Sequence, residues 1–330
     1  MYRIFLLLNL LLILSTCEAP KADNTNDNTN IDPVLSELGN QIERFPNEPQ
    51  AYLARAEYYY ENESYEQAIV DLQKSLSIDS THLNSLHTLA DVYLDYFQSR
   101  KALETLEYTS KLYPDNILTL LKKSEFYFIL KQYEESMRSI DQILKIEPQN
   151  AEAYFMFGQN FVEQGDTARA INSYQTAVEN DPDLLDAWIK LGQLQAALDN
   201  SIAEKYFDSA ISIAPKNITV RHAKADFLAD AGKLNEAIAV YRGIVEIDLN
   251  YEDAYFNSGL LYLDLDSIPQ AYKQFDICVK TAPLYIEAYY YRGLAAEFLG
   301  NKEQAKADYQ KALGFAPDFV DAQEGLQRVE

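Results

Sequence analysis

A spacing of 34 residues governs most of this chain and limits what it can fold into. In "AEAYFMFGQNFVEQGDTARAINSYQTAVENDPDL", residues 151–184, a large residue stands fourth, a small one eighth, an alanine twentieth, an aromatic twenty-fourth and a proline thirty-second. The same spacing starts again at 49, 83, 117, 151, 185, 218, 252 and 286, the fifth unit being one residue short at its internal turn. A period of this length means that one supersecondary unit is stacked on copies of itself, because no single unit can bury its own apolar face.

The fourth position reads Tyr52, Leu86, Leu120, Tyr154, Trp188, Arg221, Tyr255 and Tyr289, and the eighth reads Ala56, Ala90, Ser124, Gly158, Gly192, Ala225, Gly259 and Gly293. A small eighth residue lets two helices approach closely, and the small twentieth does so from the other side. Proline near the unit end (Pro114, Pro148, Pro182, Pro215, Pro283, Pro317) cannot extend a helix, and Gly165, Gly232 and Gly300 suit a left-handed helix end. This pattern resembles the tetratricopeptide repeat, a helix-turn-helix unit. The resemblance implies an all-α, right-handed superhelical solenoid of about eight repeats with terminal capping helices.

The resulting division is a capping helix at 32–48, eight units at 49–82, 83–116, 117–150, 151–184, 185–217, 218–251, 252–285 and 286–319, and a closing helix at 320–330. Asp32 is placed as the N-cap of the first helix with Pro33 at its first position. Ser80 and Leu249 in the proline slot and Arg221 in the fourth slot mark units one and six as the expected irregular ones.

Ahead of the repeats, an apolar run from Ile4 to Leu14 follows Arg3 and is too short to cross a hydrocarbon core, as a secretory signal is. Residues 1–16 are accordingly assigned to a signal peptide. Leu14-Ser15-Thr16-Cys17 resembles the bacterial lipobox, which implies cleavage before Cys17 and acylation of that cysteine. Residues 17–31 are rich in Asn, Asp and Thr without apolar periodicity, the composition of a disordered tether. The expected location is the bacterial cell envelope, lipid-anchored, at the outer membrane rather than the inner.

The charge balance narrows the partners. With 28 basic and 51 acidic residues, a formal −23, the chain repels phosphate backbones, so nucleic acid is not expected as a partner. His82, His87 and His222 form no metal-spaced or nucleophile-base pair in the sequence, and no phosphate-binding loop or dinucleotide fingerprint is present. The chain therefore reads as a non-enzyme that needs no cofactor and no metal. Cys278, in a slot that other units fill with alanine, reads as a packing thiol.

The family resemblance implies that ligands lie on the concave face, lined by the first helix of each unit. There the fifth position gives Leu53, His87, Leu121, Phe155, Ile189, His222, Phe256 and Tyr290. The ninth includes Glu57, Asp91, Glu125 and Asp226, and the thirteenth adds Glu61, Asp95, Glu163, Asp230 and Asp264. An apolar stripe beside an acidic one suits an extended protein segment carrying apolar and basic side chains. The expected function is a lipid-anchored scaffold for protein or peptide partners; the alternative is an accessory ligand-binding subunit of an outer-membrane uptake or secretion complex. The lysine and asparagines with which chaperone-binding repeats clamp a C-terminal carboxylate are absent, since Leu53, Glu57 and Thr88 hold those slots.

Overall fold

The computed structural model describes residues 32–330; the segment assigned to signal peptide, Cys17 and tether lies outside the described residues. The described residues form eighteen α-helices and no strand. They are α1 (Pro33–Arg44), α2 (Pro49–Glu61), α3 (Tyr65–Ile78), α4 (Leu83–Asp95), α5 (Ser99–Leu112), α6 (Ile117–Ile129), α7 (Tyr133–Ile146), α8 (Ala151–Glu163) and α9 (Thr167–Asn180). The chain continues with α10 (Leu185–Ala196), α11 (Ala203–Ile213), α12 (Ile218–Asp230), α13 (Leu234–Ile247), α14 (Glu252–Asp264), α15 (Ile268–Thr281), α16 (Ile286–Phe298), α17 (Lys302–Phe315) and α18 (Val320–Val329). Two compact units are distinguished, one up to Thr88 and one from Leu89, the division falling within α4.

In the first unit, Asp32 caps α1 by accepting from the Val34 and Leu35 amides, and its carboxylate also accepts from the Tyr58 hydroxyl of α2. Pro33 occupies the first turn, where its missing N–H costs nothing. Helix α2 lies against α3 through Ala56, Ala68 and Leu72, all fully buried. In the second unit each helix packs on its chain neighbours, and α6 also meets α8, α10 meets α12 and α16 meets α18.

Volume matching between the eighth and twenty-fourth positions explains the close approach within a helix pair. A Cβ on Gly158 would lie 2.4 Å from Tyr174, one on Gly192 2.6 Å from Phe207, and one on Gly259 2.5 Å from Phe275. Where the eighth residue is Ala56, Ala90 or Ser124, the twenty-fourth is the smaller Leu72, Leu106 or Ile140. Large rings thus stand opposite glycine in units four, five, seven and eight, and unit six alone sets a ring, Tyr241, opposite an alanine, Ala225. Tyr174, Tyr309, Phe207 and Phe275 are almost completely withdrawn from water, and each such side chain contributes about 2 to 3 kcal/mol of burial. Cys278 is buried as well, and burial pushes its thiol up to about 12, so it packs and does not react.

The fifteenth position takes a positive φ in all eight units. Gly165, Gly232 and Gly300 do so without strain, whereas Glu63, Phe97, Lys131, Asp199 and Asp266 adopt the same left-handed conformation with side chains. The geometry ends the first helix with a Schellman-type closure, as when the Asp166 amide donates to the Phe161 carbonyl at 2.8 Å.

The expected irregularity of units one and six is not found: α2 and α12 have 13 residues and α3 and α13 have 14, as in units three, four, seven and eight. The physical reason lies in the fourth side chain. Its donor bonds the carbonyl six residues earlier, at the end of the preceding helix: Tyr154 to Pro148 at 3.2 Å, Trp188 to Pro182 at 2.8 Å, Tyr289 to Pro283 at 3.2 Å. Arg221 performs the same task, donating Nε and Nη2 to the Pro215 carbonyl at 2.9 and 2.8 Å. Leu249, in the proline slot, accepts from Tyr255 at 3.2 Å as the prolines do. A long side chain with a donor, aromatic or arginine, can thus tie the junction, while Leu86 and Leu120 fill the same slot by burial alone.

Unit five does depart from the rest. Its missing residue removes the first turn of the second helix, so α11 has 11 residues and residues 197–202 form the connection.

Candidate functional site

The groove-facing residues expected from the sequence are not equivalent. Leu53 and His87 are corrected to core positions, because both are buried (1% and 5% exposed) and offer no surface to a ligand. The same register is thus buried in units one and two and part-exposed in the others. Leu121, Phe155, Ile189, Phe256 and Tyr290 are half-buried. Phe155 packs on Tyr174 with ring centroids 5.5 Å apart, Phe256 on Tyr285 at 4.8 Å, and Tyr290 on Phe319 at 5.2 Å.

The acidic positions lie further out. Glu57 and Glu61 on α2 are exposed, as are Asp95, Glu125 and Asp264. Asp91 is gripped by Lys122 from the following unit, with both carboxylate oxygens at 2.7 to 2.8 Å from the ammonium. Burial outweighs that pairing and leaves the Asp91 carboxyl above its ordinary range. Glu163, at the end of α8, accepts from the Tyr133 hydroxyl at 3.3 Å.

Two of the acidic residues, Asp226 and Asp230, meet in a cleft of 530 Å³ between units five and six. Ala196, Ala197, Ala223, Phe207 and Phe227 give it apolar walls, and Asp199 and Ser201 reach it from the connection before α11. That connection is where the one-residue deletion falls and where α11 starts late. Gln193 also lines a neighbouring cleft of 320 Å³, bounded by Phe128, Glu163, Lys190 and Leu194, so the two run side by side across units three to six. The pair of clefts carries four carboxylates, Glu163, Asp199, Asp226 and Asp230, against Lys190 and Lys233, and Lys233 is neutralised by Glu204 at 2.6 Å. The result is an apolar floor with an acidic rim.

Behind the Asp226 wall lies a polar cluster drawn from three helices. Asp226 sits one turn after His222 on α12, with its Oδ1 3.4 Å from His222 Nε2, and it accepts a hydrogen bond from the Tyr241 hydroxyl of α13. The Asn257 amide nitrogen on α14 lies 3.2 Å from both His222 Nε2 and the Tyr241 oxygen, and His222 Nδ1 is 2.8 Å from the Tyr251 hydroxyl. Burial pushes the Asp226 carboxyl up, but the bonds from His222 and Tyr241 outweigh it and hold the group below the usual carboxylate range. Its hydrogen bond to Asp226 raises the His222 imidazole, against partial burial. Burial and the bond to Asp226 keep the Tyr241 phenol protonated. From the sequence, His222, Asp226 and Asp230 were legible as groove positions. The alanines, Phe207, Ser201, Lys233, Tyr241 and Tyr251 were not, and the His222–Asp226 spacing of four was the one local signal of the cluster.

No cluster of three or more metal-ligating side chains suited to an ion occurs among the described residues, and no described helix is long and apolar enough to cross a membrane.

Comparison with known proteins agrees with this architecture. Models of the tetratricopeptide repeat match residues 49–82, 119–150 and 286–319, and a further TPR-repeat model matches residues 158–199. The chain is similar to the TPR repeat-containing protein YpiA of Bacillus subtilis (strain 168), 25% identical over 282 residues, covering 81% of this chain and 64% of that protein. It is also similar to Hsp70-Hsp90 organizing protein 3 of Arabidopsis thaliana, 21% identical over 241 residues, covering 69% of this chain and 42% of that protein. The chain thus spans less than two thirds of the length of either relative. Among solved structures, the C-terminal part of a TPR repeat-containing protein from Cytophaga hutchinsonii superposes with a TM-score of 0.63 at 18% identity, covering 72% of this chain and 98% of that one, a likeness of fold. Helix pairs joined by left-handed closures, small residues facing rings and matching repeat models lead to one assignment: the chain is a tetratricopeptide repeat protein.

Proposed function

We propose that this protein is a non-enzymatic scaffold that binds other proteins, holding an extended segment with apolar and basic side chains in the acidic clefts of units three to six. The observation that carries the reading is the cleft between units five and six, where Asp226 and Asp230 stand over a floor of alanine and phenylalanine. Such a surface takes the stem of a lysine or arginine on its apolar part and the charged head on its rim. Similarity to proteins described as Hsp70-Hsp90 organizing proteins and DnaJ homologs supports a protein partner over a small-molecule one. The lipobox-like Leu14-Ser15-Thr16-Cys17 supports tethering through acylated Cys17 in the bacterial cell envelope, at the outer membrane rather than the inner.

Fluorescence anisotropy with a rhodamine-labelled peptide of alternating lysine and leucine tests the groove. The full chain binds it, does not bind the glutamate-leucine counterpart, and loses about tenfold in affinity when Asp226→Asn and Asp230→Asn are combined. Equal binding of the two peptides refutes the reading. In parallel, intact mass and membrane partition of the wild type and Cys17→Ala test the tether: an unacylated, soluble wild type overturns it.

A further inference from the structure

The ring of His222 is committed on both nitrogens, and one of them faces two groups with opposite demands. Nδ1 is 2.8 Å from the Tyr251 hydroxyl, while Nε2 lies 3.2 Å from the Asn257 amide nitrogen and 3.4 Å from Asp226 Oδ1. An amide N–H needs a bare Nε2 to accept it, whereas a carboxylate needs Nε2–H to donate. One nitrogen cannot satisfy both at once, so the proton on Nε2 selects the partner. Neutral His222, protonated on Nδ1, gives that proton to Tyr251 and accepts from Asn257 of the next repeat. The imidazolium turns its Nε2–H to Asp226 and leaves Asn257 to the Tyr241 oxygen, which it already contacts at 3.2 Å.

Asp226 is also a wall of the cleft between units five and six, so this choice is felt where a ligand would lie. We propose that His222 makes the cleft proton-sensitive: when it is protonated, it takes up Asp226 and removes one negative charge from the rim, so a basic segment is released at mildly acidic pH. The inference rests on the groove reading above and adds its regulation.

The surroundings bear on the direction. The groups facing the ring are Asp226 from its own helix, Tyr241 from α13, Tyr251 from the connection that follows, and Asp253 and Asn257 from α14. Tyr241 and Tyr251 present their rings edge-on at 5.4 and 5.7 Å and stay neutral, so the charged neighbours are both acidic. The bond to Asp226 raises the imidazole, partial burial opposes it, and the charges of Asp226 and Asp253 add to the rise. The transition therefore falls above the ordinary histidine value of about 6.5. Below it His222 is charged and the rim is weakened; above it His222 is neutral and the rim carries its full charge.

The test uses the full chain and an acetylated, rhodamine-labelled peptide of alternating lysine and leucine, whose side-chain charge is constant between pH 6.0 and 8.5. At fixed ionic strength the wild type binds about fivefold more tightly at pH 8.5 than at pH 6.0, the worth of one partly exposed pair, and His222→Gln abolishes the difference. Nitrogen-detected NMR of the wild type gives a reading that does not depend on the variant folding: the His222 ring passes from the Nδ1-protonated tautomer to the imidazolium over the range in which affinity falls. Affinity that is flat with pH, equally pH-dependent in His222→Gln, or unrelated to the His222 titration overturns the switch and leaves the groove reading in place. Absence of peptide binding at both pH values overturns the groove reading and the switch with it.

Discussion

Gly158 stands on α8 where a methyl group would meet the Tyr174 ring of α9 at 2.4, 2.5 and 2.7 Å. Contacts that short force the ring to move by about 1 Å, since ordinary carbon separations are about 3.5 to 4.0 Å. Tyr174 has nowhere to go: it is 1% exposed and packs on Phe155 as well. Overpacking of this kind costs about 1 to 3 kcal/mol, and replacing a mid-helix glycine by alanine returns about 1 kcal/mol through helix propensity. Gly158→Ala is thus expected to destabilise the α8–α9 pair by up to about 2 kcal/mol. Gly39, inside α1, has nothing within 4 Å of the same methyl, so Gly39→Ala isolates the propensity gain and stabilises by about 0.5 to 1 kcal/mol. The double variant Gly158→Ala with Tyr174→Leu reproduces the pairing already used by Ala56 with Leu72, and it recovers most of the loss through a coupling of about 1 kcal/mol or more. A chain of repeats need not unfold in one step, so amide hydrogen exchange in α8 and α9 is read beside the urea transition. The volume argument is refuted if Gly158→Ala stabilises as Gly39→Ala does, or if the two single changes at 158 and 174 simply add.

Two further predictions concern the junctions and the ion pairs. Arg221→Leu loses the bond to the Pro215 carbonyl and lowers stability by about 1 kcal/mol, while Arg221→Tyr keeps a donor in reach and retains it; urea midpoints of the two variants compare them. Arg292 donates to Asp308, whose side chain is 3% exposed, and to Asp276, so Arg292→Met strands a buried carboxylate and costs about 3 to 5 kcal/mol by thermal unfolding, against less than about 1 kcal/mol for Arg169→Met at the exposed pair with Asp166.

The parts of this molecule that were legible in the sequence are those that depend on one position at a time. A small eighth residue, a left-handed glycine or a capping Asp32 acts through local sterics, and each can be read without knowing what lies opposite. Arg221 shows where single-position reading fails: the slot was expected to hold an aromatic ring, whereas Arg221 serves there by aiming a donor at the Pro215 carbonyl, as the tyrosines and Trp188 do at theirs. Leu53 and His87 show the same limit from another side. They share a register with half-exposed Phe155 and Ile189, yet burial is set by neighbours on other helices and not by register alone. The cluster behind the cleft was the least accessible, because residues 222, 226, 241, 251 and 257 come from three helices and a connection, and only the first two stand at helical spacing.

The deletion in unit five links the repeat pattern to the site. A missing residue was visible in the spacing, but spacing cannot tell whether the first helix, the turn or the second helix absorbs it. The first helix keeps all but one residue because Gly192 must stay opposite Phe207 and Leu191 in the core cluster around Tyr174, and the closing residue Asp199 still takes a positive φ of 52°. From Ala203 onward the second helix is equally constrained, since Ala203, Phe207 and Ala210 are all buried. Only the stretch between, which carries no core side chain, can yield. It gives up the first turn of α11, and the Asn200 side chain closes a local turn there by accepting from the Ile202 amide at 3.2 Å. The same connection supplies Asp199 and Ser201 to the cleft whose apolar wall is Phe207, Phe227 and the part-exposed alanines, so the one place where the packing of unit five permits a deletion is also an edge of the acidic cleft.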